Sequence, residues 1–335
     1  MIRSLKLMFC AAMLVTLASA QTVINGAGAT FPYPMYSKWF SEYHKQKPDA
    51  QINYQSIGSG GGIRQVLAQT VEFGASDGPM TDDQLAKAKV KLLHIPTVLG
   101  SVVPAYNVPG VKQEIKFTPE ILAGIFLGKI TTWNDAQITK VNPGVNFPAQ
   151  PIVVVHRSDG SGTTFIFTDY LSSISPEWNG GPGKGTSVKW PVGLGAKGNE
   201  GVAGMIRQVD GAIGYIELIY AVQNKIPYGS VKNKAGNFVK ASLESTTAAA
   251  ASAKMPADFR VSIVNAPGKD AYPISSFTWL LIPVQQRDAN KGRIIKEFLS
   301  WMLDRGQQMT SQLTYAPLPK SVADQVRNTI QQQVK

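Results

Sequence analysis

Short apolar runs recur along the chain and are separated by polar or glycine-rich stretches. Several runs are continuously apolar rather than alternating, which is typical of strands covered on both faces of a sheet. The pattern predicts strands at residues 23–25, 52–55, 98–106, 152–155, 212–216 and 277–282.

Apolar residues at helical spacing follow some of these strands. Alternating strands and helices indicate an α/β protein with mainly parallel sheets. Residues 178–201, rich in Gly, Pro and Lys, are predicted to form a long ordered surface loop, and residues 246–252 a helical or flexible surface stretch. The helical positions are Ile63, Val66, Leu67 and Val71 in one segment, and Ile294, Ile295, Phe298, Leu299, Met302 and Leu303 in another.

The N-terminus has the pattern of a targeting segment. Arg3 and Lys6 precede an apolar run at residues 7–17, and small residues end at Ala20. The pattern predicts a signal peptide at residues 1–20 that is removed on export. A membrane anchor is the alternative, but the run is short and no second apolar span follows. The lone cysteine lies in this segment, so the mature chain has no disulfide and no cysteine nucleophile.

Length and net charge narrow the possible classes of protein further. The 335 residues suffice for two ordinary domains, and 33 basic against 22 acidic residues give a net charge of +11. A basic surface attracts anions. The Lys and Arg residues form no dense block, so a nucleic-acid groove is not expected.

Three glycine-bearing segments each follow a predicted strand and precede a predicted helix. A helix start leaves backbone N–H groups without partners at its positive end. Glycine lets a ligand approach these groups, and Ser or Thr hydroxyls add donors. Each segment alone is more simply a capped helix, but three in one chain favour an oxyanion site. They are GAGATF (26–31), GSGGG (58–62) and RSDGSGTTF (157–165).

Two charged residues bear on this site. Arg157 offers a planar fork of donors that suits a tetrahedral oxyanion. Asp77 would repel an anion unless the anion carries a proton, as phosphate does near neutral pH and sulfate does not. Asp77 therefore either selects phosphate against sulfate or caps the helix near Thr81, and its position does not separate the two. His156, next to Arg157, is expected to be structural or supporting.

Other chemistries fit poorly. The chain has no Gly-Lys-Ser/Thr triplet, and Phe31 stands where a dinucleotide fingerprint needs glycine. Ser161 is flanked directly by Gly160 and Gly162, which is not the spacing of a hydrolase nucleophile elbow. The histidines show no paired metal-ligand spacing: they are His44, His94 and His156.

At these residues the chain resembles the periplasmic phosphate-binding proteins of bacterial high-affinity phosphate ABC transporters. The similarity covers nearly the whole mature chain. It rests on GAGATFPYP (26–34), NYQSIGSGGG (53–62), VEFGASD (71–77), RSDGSGTTF (157–165), VKWPVGLGAKGNEG (188–201) and GAIGYIE (211–217).

The resemblance implies a phosphate site without cofactor, metal or catalytic residues. Asp77 would accept a hydrogen bond from the protonated oxygen of phosphate, and Asp159 would orient the Arg157 guanidinium without contacting the ligand. The implied phosphate-binding residues are Ala29, Thr30, Phe31, Ser59, Asp77, Arg157, Ser161, Gly162 and Thr163.

The resemblance also implies a two-lobed periplasmic-binding-protein fold of type II, with hinge strands and a cleft between the lobes. Lobe I would comprise residues 21–98 plus 277–335, and lobe II residues 99–276. The expected location is the periplasm. The expected partners are inorganic phosphate and an inner-membrane ABC complex of two permease subunits and ATPase subunits, with no nucleic acid.

Two competing functions remain. One is a phosphate-ester hydrolase with Ser161 or Thr30 as nucleophile, although no base or metal set is evident near either residue. The other keeps the fold but binds another oxyanion or a phosphorylated metabolite.

Overall fold

A computed structural model describes residues 21–335 of the chain. The predicted signal peptide lies outside the described residues. All six predicted strands are present, and the strand predicted at residues 277–282 has nearly the predicted bounds. The strands are β1 (Thr22–Gly28), β2 (Ala50–Ser56), β3 (Phe73–Ser76), β4 (Leu92–Asn107), β5 (Lys116–Phe117), β6 (Val153–Arg157), β7 (Leu194–Ala196), β8 (Ala212–Glu217), β9 (Ser230–Lys232), β10 (Phe238–Val239) and β11 (Ser275–Pro283).

Helices cover the sheet strands, and both helices predicted from apolar spacing are present. The first ends earlier than predicted, since Gln69 adopts a left-handed conformation. The helices are α1 (Tyr33–Gln46), α2 (Ser59–Ala68), α3 (Asp82–Leu85), α4 (Pro119–Phe126), α5 (Ala136–Val141), α6 (Gly162–Ile174), α7 (Pro176–Gly180), α8 (Gly198–Gln208), α9 (Leu218–Asn224), α10 (Leu243–Ala250), α11 (Ala289–Asp304) and α12 (Lys320–Gln333), with a 3₁₀ helix at Gly306–Leu313.

One eight-stranded sheet runs through the molecule in the order β2-β1-β3-β11-β4-β8-β6-β7, and β10-β9-β5 form a small second sheet. The large sheet is more mixed than predicted. Its outer strands are parallel, but β11 and β4 pair antiparallel with each other and with β3 and β8. These two crossing strands are buried along nearly their whole length, which explains their continuous apolar composition.

The long strand β4 divides the sheet into two parts. Residues 92–101 of β4 pair with β11, and residues 102–107 pair with β8. We call β2, β1, β3, β11 and the first part of β4 the first half-sheet, and the remainder the second half-sheet. The fold is thus the two-lobed α/β arrangement that was predicted.

Two segment predictions need correction. Residues 178–201 are not one surface loop: Trp178 is fully buried in α7, and β7 and the start of α8 follow. The glycine and lysine content concealed a three-residue strand that pairs with β6. Residues 246–252 are helical up to Ala250, but Thr246 and Ala249 are buried and so the stretch is not wholly at the surface.

Candidate functional site

The first two predicted turns lie at one edge of the first half-sheet. β1 pairs in parallel with both β2 and β3, so the carboxyl ends of the three strands lie side by side. Thr30 follows β1, Ser59 begins α2 directly after β2, and Asp77 follows β3. These side chains are at most 2% exposed. The Asp77 backbone N–H donates to Ser59 Oγ at 3.2 Å, which ties the second turn to the aspartate.

The third predicted turn lies at the end of β6 in the second half-sheet. Arg157 is the last residue of β6 and is only 3% exposed. Ser161 is the N-cap of α6, and its Oγ accepts the Thr164 backbone N–H at 3.0 Å. Gly162 and Thr163 form the first turn of α6, where backbone N–H groups lack intrahelical partners.

The turns of the two half-sheets meet. A Cβ placed on Gly162 would lie 2.4 Å from Ser59 Oγ and 2.5 Å from Asp77 Oδ2. The Gly60 backbone N–H donates to the Gly160 carbonyl at 2.9 Å. Gly58, at φ +83°, presses against Asp159, whose Oδ2 would be 2.3 Å from an added Cβ. Glycine at these positions therefore allows two helix N-termini to face each other across a narrow gap.

Asp159 holds the Arg157 guanidinium in a two-point ion pair. Arg157 Nε donates to Oδ1 at 2.7 Å and Nη2 donates to Oδ2 at 2.6 Å. The Gly198 backbone N–H also donates to Oδ1, at 3.1 Å. Although partial burial opposes it, the hydrogen bonds and charge of Arg157 hold the pKa of Asp159 below its usual value. The pair leaves Nη1 directed to Thr163 Oγ1 at 3.4 Å.

Asp77 does not cap a helix. Thr81 caps α3 through its own side chain, in a reciprocal capping box with Gln84. Asp77 Oδ1 instead accepts the Thr278 hydroxyl of β11 at 2.8 Å, and Oδ2 lies 3.5 Å from Ser59 Oγ. Burial raises the pKa of Asp77 to about 7, against the opposing effects of the Thr278 hydrogen bond and the Arg157 charge.

The first turn is held from several sides. The carbonyls of Thr30 and Phe31 accept the hydroxyls of Tyr220 and Tyr315, each at 2.6 Å. Ala29 is different, because its N–H donates to the Ala75 carbonyl at 3.0 Å and its own carbonyl accepts the Tyr54 hydroxyl. Ala29 thus has no free polar group to offer a ligand.

His156 packs against an aromatic side chain. Its ring stacks on Trp190, with ring centroids 5.0 Å apart, and its Nδ1 lies 3.1 Å from the Arg157 carbonyl oxygen. These contacts are those of a packing residue, and the structural or supporting role expected for His156 stays a prediction.

Several residues of the site carried no role in the sequence interpretation. Asn199, fully buried at the start of α8, contacts both Thr30 and Thr163. The sequence contains a pattern that could have indicated Asn199, because β7, Gly198 and α8 form a fourth glycine-bearing turn between a strand and a helix. Thr278, Tyr220 and Tyr315 gave no local signal, because each reaches the site from a distant part of the chain.

Two further observations concern residues 21–335 as a whole. Among them, no cluster of three or more His, Cys, Asp or Glu side chains has the arrangement of a metal site. Their helices are also too short or too polar to cross a bilayer.

Known proteins resemble the chain over most of its length. A PBP superfamily domain matches residues 15–305. Phosphate-binding protein PstS of Xylella fastidiosa strain Temecula1 is 46% identical over 306 residues, covering 90% of this chain and 83% of that protein. PstS of Pasteurella multocida strain Pm70 is 44% identical over 319 residues, covering 94% and 92%.

A solved structure agrees in fold. The phosphate-binding protein from Stenotrophomonas maltophilia superposes with a TM-score of 0.70 at 21% identity, covering 92% of this chain and 94% of that one. At this identity the likeness concerns the fold. The superfamily domain and the curated relatives together show that the chain belongs to the PstS family of phosphate-binding proteins within the PBP superfamily.

Proposed function

We propose that the chain is a solute-binding receptor that captures inorganic phosphate between its two lobes and delivers it to an ABC transporter for import. The observation that carries the proposal is a buried set of hydrogen-bond donors from both half-sheets, with the Asp77 carboxyl group in contact with Ser59 among them. The names of its relatives add support, since they are phosphate-binding proteins.

The proposed ligands supply charge and donors from both half-sheets. Arg157 contributes the positive charge, and its ion pair with Asp159 limits the orientations of the guanidinium. The starts of α2 and α6 contribute backbone N–H groups and the favourable end of the helix dipole. The remaining proposed ligands, without Ala29, are Thr30, Phe31, Ser59, Ser161, Gly162 and Thr163.

Asp77 is proposed to select a protonated anion. Its Oδ1 is occupied by the Thr278 hydroxyl, so Oδ2 is the oxygen that would share a proton with the ligand. A raised pKa near 7 means that Asp77 and phosphate compete for one proton near neutral pH. Sulfate brings no proton and would face an unpaired acceptor, which buried polar sites reject strongly.

The lobes are proposed to be residues 21–98 plus 277–335 and residues 99–276, hinged where β4 and β11 cross. The change in β4 pairing between residues 101 and 102 lies close to the first boundary. A phosphate that contacts both lobes would stabilise the closed form through its higher affinity for that form. Hinge closure around a ligand is a recognised property of periplasmic binding proteins.

The tight approach of Gly162 to Ser59 and Asp77 favours a bare anion over a phosphorylated metabolite. We also propose that the protein is not an enzyme. Turnover of a chromogenic phosphate ester that disappears in Ser161→Ala would contradict this.

Export to the periplasm and docking on a membrane permease complex follow from the predicted signal peptide and from the family. Cell fractionation with N-terminal sequencing tests the first point. A mature chain that begins at Gln21 in the periplasmic fraction is expected, and an uncleaved cytoplasmic chain would contradict it.

Equilibrium dialysis against radiolabelled phosphate tests the proposed function. We expect one phosphate per chain, displaced by the close mimic arsenate. Arg157→Ala should abolish retention while a surface replacement, Arg207→Ala, should not. Equal retention by both variants, or none by the unmodified protein, would overturn the proposal.

A further inference from the structure

Asn199 lies between the two threonines of the site and uses its whole amide group. It is the second residue of α8 and is fully buried. Its Nδ2 donates to Thr30 Oγ1 at 2.8 Å and to Thr163 Oγ1 at 3.0 Å. Its Oδ1 accepts the Glu217 backbone N–H at 2.9 Å. One side chain thus links turns from both half-sheets.

The orientation of this amide is determined by its surroundings. A backbone N–H can only donate, so the atom facing Glu217 must be the amide oxygen. The amide nitrogen must then face the two threonines. Both protons of the amide nitrogen are used, and flipping the amide group would lose the hydrogen bond from the Glu217 backbone N–H.

This orientation determines what the threonine hydroxyls can do. A hydroxyl has two lone pairs and one proton. Thr30 Oγ1 already accepts two donors, the Asn199 Nδ2 and the Asn199 backbone N–H at 3.2 Å. Thr163 Oγ1 likewise accepts from Asn199 Nδ2 and from Arg157 Nη1. Each hydroxyl keeps only its proton to offer, so each can serve an anion only as a donor.

We propose that Asn199 is a positioning residue that sets the polarity of the phosphate site, by making the hydroxyls of Thr30 and Thr163 donors in advance of binding. The proposal rests on the proposed function. Asn199 needs no contact with the ligand. Its contribution to affinity is that hydroxyl protons do not have to reorient when the anion enters, and that no lone pair faces the anion.

Two replacements of similar size test the proposal by calorimetric titration with phosphate. In Asn199→Asp the carboxylate would accept both hydroxyl protons and turn lone pairs towards the anion. Affinity should fall about 100-fold or more, since two charge-assisted hydrogen bonds are lost. In Asn199→Leu the hydroxyls are released but not reversed, and a loss of roughly 10-fold is expected. Glu200→Gln, at the exposed neighbouring position, is the matched control and should bind as the unmodified protein does.

A background without the hydroxyls separates polarity from structural support. In Thr30→Val/Thr163→Val, adding Asn199→Leu should change the remaining phosphate affinity by less than about threefold, because the groups through which Asn199 acts are gone. A full 10-fold loss in that background would show a structural role and overturn the proposal, as would binding by Asn199→Asp within threefold of the unmodified protein. If Asn199→Asp does not fold, the Leu cycle decides alone. Failure of the unmodified protein to bind phosphate would overturn the proposed function itself and is seen in the same titration.

Discussion

At the scale of single residues, the site combines a fixed cation with a carboxyl group that burial has made weakly acidic. Arg157 owes its fixed orientation to Asp159, with both bonds shorter than 2.8 Å. Asp77 has one oxygen tied to Thr278 and one oriented towards Ser59 and Gly162. The opposite chemical tendencies of these two residues suit an anion that brings its own proton.

Arg157→Lys should weaken phosphate binding by about 10- to 100-fold. Lysine keeps the charge but loses the planar fork that Asp159 orients, so it pairs with the anion as an unoriented point charge. Titration calorimetry measures the change. Arg207→Lys, on an exposed face of α8, is the control and should have no effect. Unaltered affinity in Arg157→Lys would mean that charge alone suffices.

The pKa of Asp77 makes the stability of the ligand-free protein depend on pH. Because burial raises this pKa from 3.8 to about 7, the folded state keeps a proton that the unfolded chain releases. The contribution is fully present below about pH 4 and is lost as the pH rises towards 7. The free energy of unfolding of the unmodified protein, relative to Asp77→Asn, should therefore fall over this window, by up to about 1.4 kcal/mol per pH unit.

Urea denaturation of both ligand-free proteins at several pH values measures this difference. Asp77→Asn is nearly isosteric and cannot titrate, so subtraction removes the other ionisable groups. A constant difference from pH 4 to 7 would show that Asp77 has an ordinary pKa.

At the scale of elements, the site is made by strand-to-helix turns, and the first residues of α2 and α6 contact each other. Ser59 begins α2 and Gly162 begins α6. Their glycines were readable from the sequence because a turn of this kind is a local pattern. Asn199 follows a fourth such turn, but β7 has only three residues and lies in a stretch whose composition favours a loop.

Sequence reasoning missed Thr278 and Tyr315 for the same reason: each reaches the site from a distant part of the chain. Thr278 reaches Asp77 from 201 positions away, and Tyr315 reaches Phe31 from 284 positions away. Nothing near either residue in the sequence distinguishes it from an ordinary core residue. Pairing of β11 with β3 and β4 brings Thr278 to the site, and backbone hydrogen bonds between Ala316 and β4 bring Tyr315 there. Short-range sequence patterns do not specify these long-range contacts.

Gly162→Ala tests the close approach of the two turns. The new methyl would lie within 2.5 Å of Ser59 and Asp77, so the lobes could not close fully, and phosphate affinity should fall at least about 10-fold. Gly204→Ala is the matched control, because this glycine also lies in a helix but a Cβ added there would meet no atom of another segment within 4 Å. A thermal melt of each ligand-free variant shows whether folding is intact. Equal affinities would mean that the turns separate when phosphate binds.

At the scale of the whole molecule, two half-sheets share one long strand and meet again at the site. The α/β class was predictable from the alternation of strands and helices, and the two-lobed architecture was predictable only through the family resemblance that motifs such as GAGATFPYP and RSDGSGTTF carry. The direction of the central strands was not: β4 and β11 have the continuous apolar composition of buried parallel strands, yet both pair antiparallel. Burial on both faces sets their composition, whatever their direction.

Closure should be visible in solution. Small-angle scattering of the ligand-free protein should give a larger radius of gyration than the phosphate complex, because the proposed site takes its ligands from both lobes. The same addition to Arg157→Ala should leave the radius unchanged. An equal decrease in the radius of gyration of Arg157→Ala would contradict the prediction, because it would show that closure does not depend on the arginine that holds the anion.

The most direct test of the central claim is a calorimetric titration of the phosphate-stripped protein with phosphate and with sulfate near neutral pH. The account predicts one phosphate bound per chain at micromolar affinity or tighter, about −8 kcal/mol or more favourable, with no measurable heat from sulfate, and a loss of this discrimination in Asp77→Asn. Equal binding of the two anions by the unmodified protein, or binding of neither, would contradict it.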